Sequence, residues 1–213
     1  MDPKIRHEDP AITAALAALA PPGVCVGHRV IAEGDENALF EEELEAFKRS
    51  IPRVRRQSGA ARRVAREILG ELGFAAAPLP RTSNGPPEWP SGVVGSLSHD
   101  DTIAVAAVAR AETYEGIGID VEPAAPLPAD LVELVATPLE RRRYTASVLE
   151  SRVLFAAKEA IYKAQFPSER VFLDFQDIEV DLDMKQGVTR TGRTVAITVT
   201  PFPRVLALAF IPR

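Results

Sequence analysis

The chain has a single cysteine, Cys25, in 213 residues. One thiol excludes an internal disulfide framework and any cysteine-rich zinc site, and it suits a reducing compartment. Long hydrophobic runs are missing as well. The longest near the N-terminus, Ala14 to Pro22, is too short to span a bilayer. The residues before it hold three acids against two bases and form no positively charged run, so no signal peptide is expected. There is no Walker loop, no dinucleotide fingerprint and no His-Glu-x-x-His. Gly95-Ser96-Leu97-Ser98 lacks the Gly-x-Ser-x-Gly elbow of α/β-hydrolases, and adjacent residues such as Ser98 and His99 rarely form a nucleophile and its base. Basic residues are outnumbered by acidic ones, 25 against 30, which argues against bulk nucleic-acid binding. At 46% hydrophobic and 26% charged, the chain can still bury a sizeable core. A soluble, cytoplasmic monomer is the expectation, with neither nucleic acid nor membrane as a partner.

The charge is unevenly spread. Residues 1 to 47 hold ten acids and three bases, whereas residues 48 to 66 hold eight bases and no acid. Those eight are Lys48, Arg49, Arg53, Arg55, Arg56, Arg62, Arg63 and Arg66. A basic block inside an acidic protein is a footprint for an anion. The plainer alternative is a solvated helix face paired with the Glu41 to Glu45 cluster.

Apolar residues at helical spacing predict a helix over Ala61 to Leu72, ended by Gly73, and another over Val153 to Ala164, with Pro167 beyond its end. Pro78 to Gly92 is loop. Val93 to Leu97 and Ile103 to Ala109 read as a strand pair about the turn Ser98-His99-Asp100-Asp101, and Ile117 to Val121 as a further strand. Pro123 to Pro128 reads as a linker. Thr194 to Thr200 and Val205 to Ile211 flank Pro201-Phe202-Pro203. A helix followed by an apolar strand pair therefore occurs twice, about 100 residues apart, which suits two related lobes with a ligand cleft between them.

Three constellations could carry chemistry. In Asp120-Val121-Glu122 the two acids share one strand face, and such close like charges need a cation or a basic partner. Hard carboxylate oxygens of this kind suit Mg²⁺, although a surface strand end with two acids is common. In Phe155-Ala156-Ala157-Lys158-Glu159-Ala160-Ile161-Tyr162-Lys163, Glu159 and Lys163 are spaced for a helix salt bridge. Phe155, Glu159 and Tyr162 share a face, however, so Glu159 approaches a buried surface and wants a partner or a metal. In Gly95-Ser96-Leu97-Ser98-His99, the histidine is either a phosphate-contacting donor or a satisfied surface residue.

Together, Trp89-Pro90-Ser91-Gly92-Val93-Val94-Gly95-Ser96-Leu97-Ser98-His99, Gly116-Ile117-Gly118-Ile119-Asp120-Val121-Glu122 and the 155–163 segment resemble the 4′-phosphopantetheinyl transferase superfamily, in particular its stand-alone group similar to enterobactin synthetase component D. The resemblance covers roughly residues 40 to 210. It implies an α+β fold of two pseudo-symmetric α/β lobes, here 1–115 and 116–213, with the active site between them and residues 1–40 as an acidic, poorly matched extension. It implies transfer of the phosphopantetheine arm of coenzyme A to a serine of an apo acyl or peptidyl carrier protein of siderophore or secondary metabolism, releasing 3′,5′-ADP. The family's metal carboxylates fall on Asp120, Glu122 and Glu159, for Mg²⁺ or Mn²⁺. Its catalytic residues fall on Glu159, which would take the serine proton, Lys163, which would steady the phosphoryl group, and His99, which would touch the pyrophosphate. Coenzyme A contacts would come from Arg62 and Arg55 (or Arg53 or Arg56 in an adjacent register), from Arg81-Thr82-Ser83-Asn84, and from Ser98, His99, Lys158 and Lys163. Two rivals remain: a non-catalytic coenzyme A-binding module, and a metal-dependent phosphohydrolase of coenzyme A using the same carboxylates.

Overall fold

A computed structural model describes residues 8–81, 85–144 and 148–213. Its innermost strand, β3 (Ile103–Arg110), pairs antiparallel with β1 (Val24–Val30) on one side and β2 (Val93–His99) on the other. Ile103 to Ala109 are all buried, which explains a continuous apolar run in place of alternation. Helix α3 (Pro52–Glu71) covers one face of this sheet. Ala60 and Ala61 meet Ala104, while Val64, Ala65, Ile68 and Leu69 meet Ala106 and Val108. The helix starts with proline in its first turn, where no backbone hydrogen bond is lost. It stops at Gly73, whose φ of +86° is left-handed, with Phe74 N–H returning to Leu69 O at 2.9 Å.

The second sheet has five antiparallel strands: β4 (Tyr114–Glu122), β5 (Ile178–Asp181), β6 (Gln186–Thr189), β7 (Thr194–Thr200) and β8 (Val205–Pro212), in the spatial order β4-β8-β7-β6-β5. The two-residue strand period sorts its side chains. Ile117, Ile119, Val121, Leu206 and Leu208 face Ile103, Val105, Ala107 and Ala109 of the first sheet. Val205, Ala207, Ala209 and Ile211 face the long helix α6 (Val148–Glu169) through Leu154, Ala157, Ile161 and Ala164. The layers thus run α3, first sheet, second sheet, α6. Full burial of each large apolar side chain in them stabilises the fold by about 1.5–3 kcal/mol. Among the described residues no helix is long and apolar enough to cross a membrane.

The expected helices and strands are present, and several extend further. Helix α6 runs through Pro167 to Glu169 instead of stopping before it. The proline sits in the last turn, where Ser168 Oγ donates to Gln165 O at 3.0 Å. The first 40 residues supply α1 (Pro10–Leu19), capped by Asp9 Oδ1 on Ala11 N–H at 2.8 Å, and β1. Ile12, Leu16 and Leu19 of α1 enter the core between the sheets, and Thr198 Oγ1 of β7 donates to Leu19 O at 2.8 Å. Three further short helices, α2 (Glu41–Leu44), α4 (Ala129–Val135) and α5 (Pro138–Tyr144), and the β5–β6 hairpin had no periodic signal in the sequence.

Candidate active site

The edge strands β2 and β4 lie side by side, and a cleft of about 800 Å³ opens along them. Residues of α3 and β2 line one wall, and Glu159, Tyr162 and Lys163 of α6 line the other. Two glycines set how closely that second wall approaches. Gly116, Gly118, Asp120 and Glu122 share the face of β4 that meets α6. A Cβ on Gly116 would fall 2.0 Å from Ala164 O, and one on Gly118 would fall 1.9 Å from Ala160 O. Only glycine admits the helix backbone at this distance, and the approach carries Lys163 to the carboxylate beyond it. Lys163 Nζ donates to Asp120 Oδ1 at 2.7 Å, to Ile119 O at 3.1 Å and to Ser98 Oγ at 3.2 Å. Ser98 Oγ in turn donates to Asp120 Oδ1 at 2.7 Å, joining both sheets and α6 at one carboxylate.

Asp120 is 4% exposed, and its Oδ2 is buried without a hydrogen-bond partner. The expected Glu159–Lys163 helix bridge is not made, because the lysine is committed to Asp120. Among the described residues the Glu159 carboxylate has no ion-pair or hydrogen-bond partner. Burial pushes it above the ordinary carboxylate range; Lys163 opposes this and Asp120 adds to it. Burial, with Asp120 next, likewise raises Glu122, although Arg152 Nη1 donates to its Oε2 at 2.7 Å. Arg152 is itself held by Ala125 O at 3.2 Å and Pro126 O at 3.0 Å. Among the described residues no three acid, histidine or cysteine side chains converge as ready-made metal ligands. The donor chemistry nevertheless fits a hard divalent cation: a buried carboxylate oxygen without a donor, a second carboxylate without a partner, and no soft ligand.

The rest of the cleft is basic and polar. His99 reaches solvent at the end of β2, yet burial and then Lys163 lower its imidazole below the usual value, against the opposing effect of Asp100 and Asp120. This favours the neutral ring, which has one N–H to donate. Arg62, 4% exposed, lines the other end of the cleft and stacks its guanidinium on Phe47 at 5.1 Å. Its Nε donates to Leu79 O at 3.0 Å and it lies 3.6 Å from Glu43. Burial lowers it to about 10; Glu43 opposes this, while Arg81 and Arg66 add to it. It stays protonated at neutral pH. Arg81 lines the same end and donates to Gly85 O at 3.0 Å. Two arginines at one end of a cleft, Arg62 with its charge disfavoured by burial and by Arg81, form a receptor for an anion.

Comparison with known proteins decides the family. A model described as the 4′-phosphopantetheinyl transferase N-terminal domain matches residues 41–109, and one described as the 4′-phosphopantetheinyl transferase superfamily matches residues 116–203. The chain belongs to the 4′-phosphopantetheinyl transferase superfamily. It is 37% identical to "4′-phosphopantetheinyl transferase Svp" of Streptomyces mobaraensis over 84% of this chain and 75% of that protein. It is 40% identical to "4′-phosphopantetheinyl transferase Npt" of Nocardia iowensis, over 75% and 77% of the two chains. Against "Enterobactin synthase component D" of Escherichia coli (strain K12) it is 34% identical over 56% of this chain and 59% of that one. It is thus a phosphopantetheinyl transferase by descent, an enzyme of a family that uses coenzyme A as co-substrate.

The residues expected to serve this phosphopantetheinyl transferase are not all brought to the cleft. Asp120, Lys163 and Ser98 are joined by hydrogen bonds, Ser98, His99, Glu159 and Lys163 line the cleft, and Arg62 and Arg81 line it as well. Lys158 requires correction as a coenzyme A contact. It is 0% exposed, and its Nζ is sealed in the core beneath α6 on Val135 O at 2.8 Å, Phe175 O at 2.9 Å and Glu140 Oε2 at 2.6 Å. One helix position is a turn of about 100°, so Lys158 points to the core while Glu159 points to the cleft. Arg55 does not line the cleft either; it donates to Phe47 O at 3.1 Å and Lys48 O at 3.0 Å, closing the turn before α3. Of its alternatives, Arg53 pairs with Asp101 and Arg56 with Glu36 at 3.2 Å. Thr82, Ser83 and Asn84 lie outside the described residues. Sequence reasoning missed Arg152 and Glu43. Glu43 is fully buried and accepts from Arg66 at 2.8 Å, Leu79 N–H at 2.7 Å and Phe40 N–H at 2.8 Å, so it fixes the strut behind Arg62. No spacing rule ties residue 43 to 79 or 122 to 152.

Proposed function

We propose that this enzyme transfers the 4′-phosphopantetheine arm of coenzyme A to a serine hydroxyl of a carrier protein and releases 3′,5′-ADP. The observation that carries the reading is one cleft with Glu159, Lys163 and His99 at one end, beside the buried Asp120 that Lys163 grips, and Arg62 and Arg81 at the other. Arg62 and Arg81 would take the 3′-phosphate end of coenzyme A, which arginine forks suit. The pyrophosphate would then lie along β2 towards His99 and Lys163, whose N–H groups orient it and offset its charge. The serine oxygen forms a bond to the phosphorus that carries pantetheine, and the bond from that phosphorus to the bridging oxygen breaks. Glu159, raised by burial and free of an ion pair, is suited to accept the serine proton directly or through water.

Asp120 and Glu159 would hold Mg²⁺ or Mn²⁺, with Glu122 reaching it directly or through water. A bound divalent ion supplies charge neutralisation at the pyrophosphate. Lys163 and Ser98 fix Asp120 Oδ1, which leaves Oδ2 directed and unspent. The relatives named for enterobactin synthase favour carriers of siderophore or secondary metabolism.

Mass spectrometry of a panel of apo carrier proteins incubated with coenzyme A and Mg²⁺ tests this. One or more carriers should gain one phosphopantetheinyl group, and Asp120→Asn should abolish the gain with the fold intact. Coenzyme A cleaved without any carrier would favour the phosphohydrolase; binding with no mass gain on any carrier would favour the binding module.

A further inference from the structure

The two sheets meet through an apolar core, and apolar surfaces alone fix position less sharply than directed polar bonds. Besides the Ser98 Oγ–Asp120 Oδ1 bond, a second polar tie crosses between the lobes beside His99. The turn after β2 is organised by Asp100. Its Oδ1 accepts from Thr102 N–H at 2.6 Å, Thr102 Oγ1 at 3.0 Å and Ile103 N–H at 2.7 Å. Its Oδ2 is buried with no hydrogen bond, and the cation facing it is Arg204 of the second lobe, with Nη1 at 3.2 Å. The other arm of Arg204 donates to Thr102 Oγ1 at 2.6 Å. Arg204 immediately precedes β8, the neighbour of β4 that carries Asp120. From the first lobe, Gln57 of α3 donates to Asp100 O at 3.1 Å.

We propose that Arg204 is a positioning residue that holds the His99 turn in register with Asp120 and Lys163 across the lobe junction. Its guanidinium grips two side chains of the turn at once, so it fixes orientation as well as distance. The consequence for catalysis rests on the transfer reading above; the geometric claim does not.

The test is a double-mutant cycle on the full chain. Arg204→Ala should lower kcat/KM for coenzyme A by about ten-fold, the cost of a small displacement of a positioned group. In the His99→Ala background the same change should cost less than about two-fold, because coupled residues are not additive. Arg204→Lys should recover part of the loss. Asp100→Asn, which keeps the turn's acceptor, should reproduce the Arg204→Ala phenotype should that variant fold poorly. Equal losses in both backgrounds would overturn the proposal. The chain has three histidines, so imidazole NMR gives a reading independent of transfer: Arg204→Ala should move the His99 ring signals and leave those of His28 in place. Unmoved His99 signals refute the tie even if transfer is seen. Moved signals with no transfer by the wild-type protein retain the tie and reject the transfer reading.

Discussion

Replacing Gly118 by alanine should disable the site without touching a reacting group. The new Cβ would lie 1.9 Å from Ala160 O and 2.7 Å from Ala164 N, both backbone atoms of α6 that no rotamer change can move. Reaching ordinary contact at about 3.4 Å requires the helix to retreat by about 1.5 Å. Lys163 Nζ, now 2.7 Å from Asp120 Oδ1, would then lose its hydrogen bond. Overpacking of this kind costs about 1–3 kcal/mol, which lowers the thermal midpoint of a chain this size by roughly 2–4 °C per kcal/mol. The effect on rate should be larger, because a 1 Å misplacement costs on the order of 100-fold. The assay is carrier modification measured alongside thermal unfolding. Gly70→Ala provides the control: nothing lies within 4 Å of its added Cβ, and an exposed helical glycine gains about 0.5–1 kcal/mol on this change. A Gly118→Ala protein with wild-type kcat/KM would refute the claim that β4–α6 contact sets the site.

Two further outcomes follow from buried charges. Lys158→Ala leaves Glu140 fully buried without its cation, which should cost about 3–5 kcal/mol in denaturant unfolding, while the coenzyme A dissociation constant of the folded protein stays unchanged. A folded Lys158→Ala variant that no longer binds coenzyme A would restore that lysine to the substrate site. His28 accepts Asp9 N–H at its Nε2 at 2.8 Å, and burial lowers its pKa, with Glu8 and Asp9 opposing. The unfolded chain therefore takes up the proton first, so the stability this group contributes is present above about pH 6.5 and is lost as the pH falls through the lowered folded value. Thermal midpoints measured from pH 7.5 to 5.5 should fall, and His28→Gln should flatten that decline; an unaltered slope would remove His28 from the account.

The elements legible in the sequence are those whose burial imposes a period. Strand β3 is buried on both faces and reads as an unbroken apolar run; α3 and α6 each bury one stripe and read at helical spacing. The four-residue strands β5 and β6 bury alternate positions only, which is too short a pattern to stand out from turn sequence. Strand β1 carries His28 and Arg29, both buried, and their polarity hid it. Arg29 is compensated by Asp35 at 2.8 Å, a partner no strand pattern announces.

The basic block shows why a charge pattern locates a site less well than a strand face does. Asp120 and Glu122 were placed correctly on one face because the two-residue period is a property of the backbone itself. The eight bases of residues 48–66 read as one anion-binding wall, but Lys48 and Arg49 precede α3 and the helix distributes the other six around its axis. Lys48 pairs with Glu45, Arg53 with Asp101, Arg56 with Glu36, Arg63 with Glu67 and Arg66 with Glu43. Arg55 closes the preceding turn. Arg62 alone of the eight lines the cleft. The solvated, acid-paired face and the anion receptor are therefore both present in the same helix, separated by which side of α3 each residue occupies. What selects Arg62 is the apolar stripe of Ala61, Val64, Ala65 and Ile68 that docks α3 on the first sheet. Packing fixes the rotation of the helix, and that rotation, more than the number of arginines, decides which guanidinium a phosphate could meet.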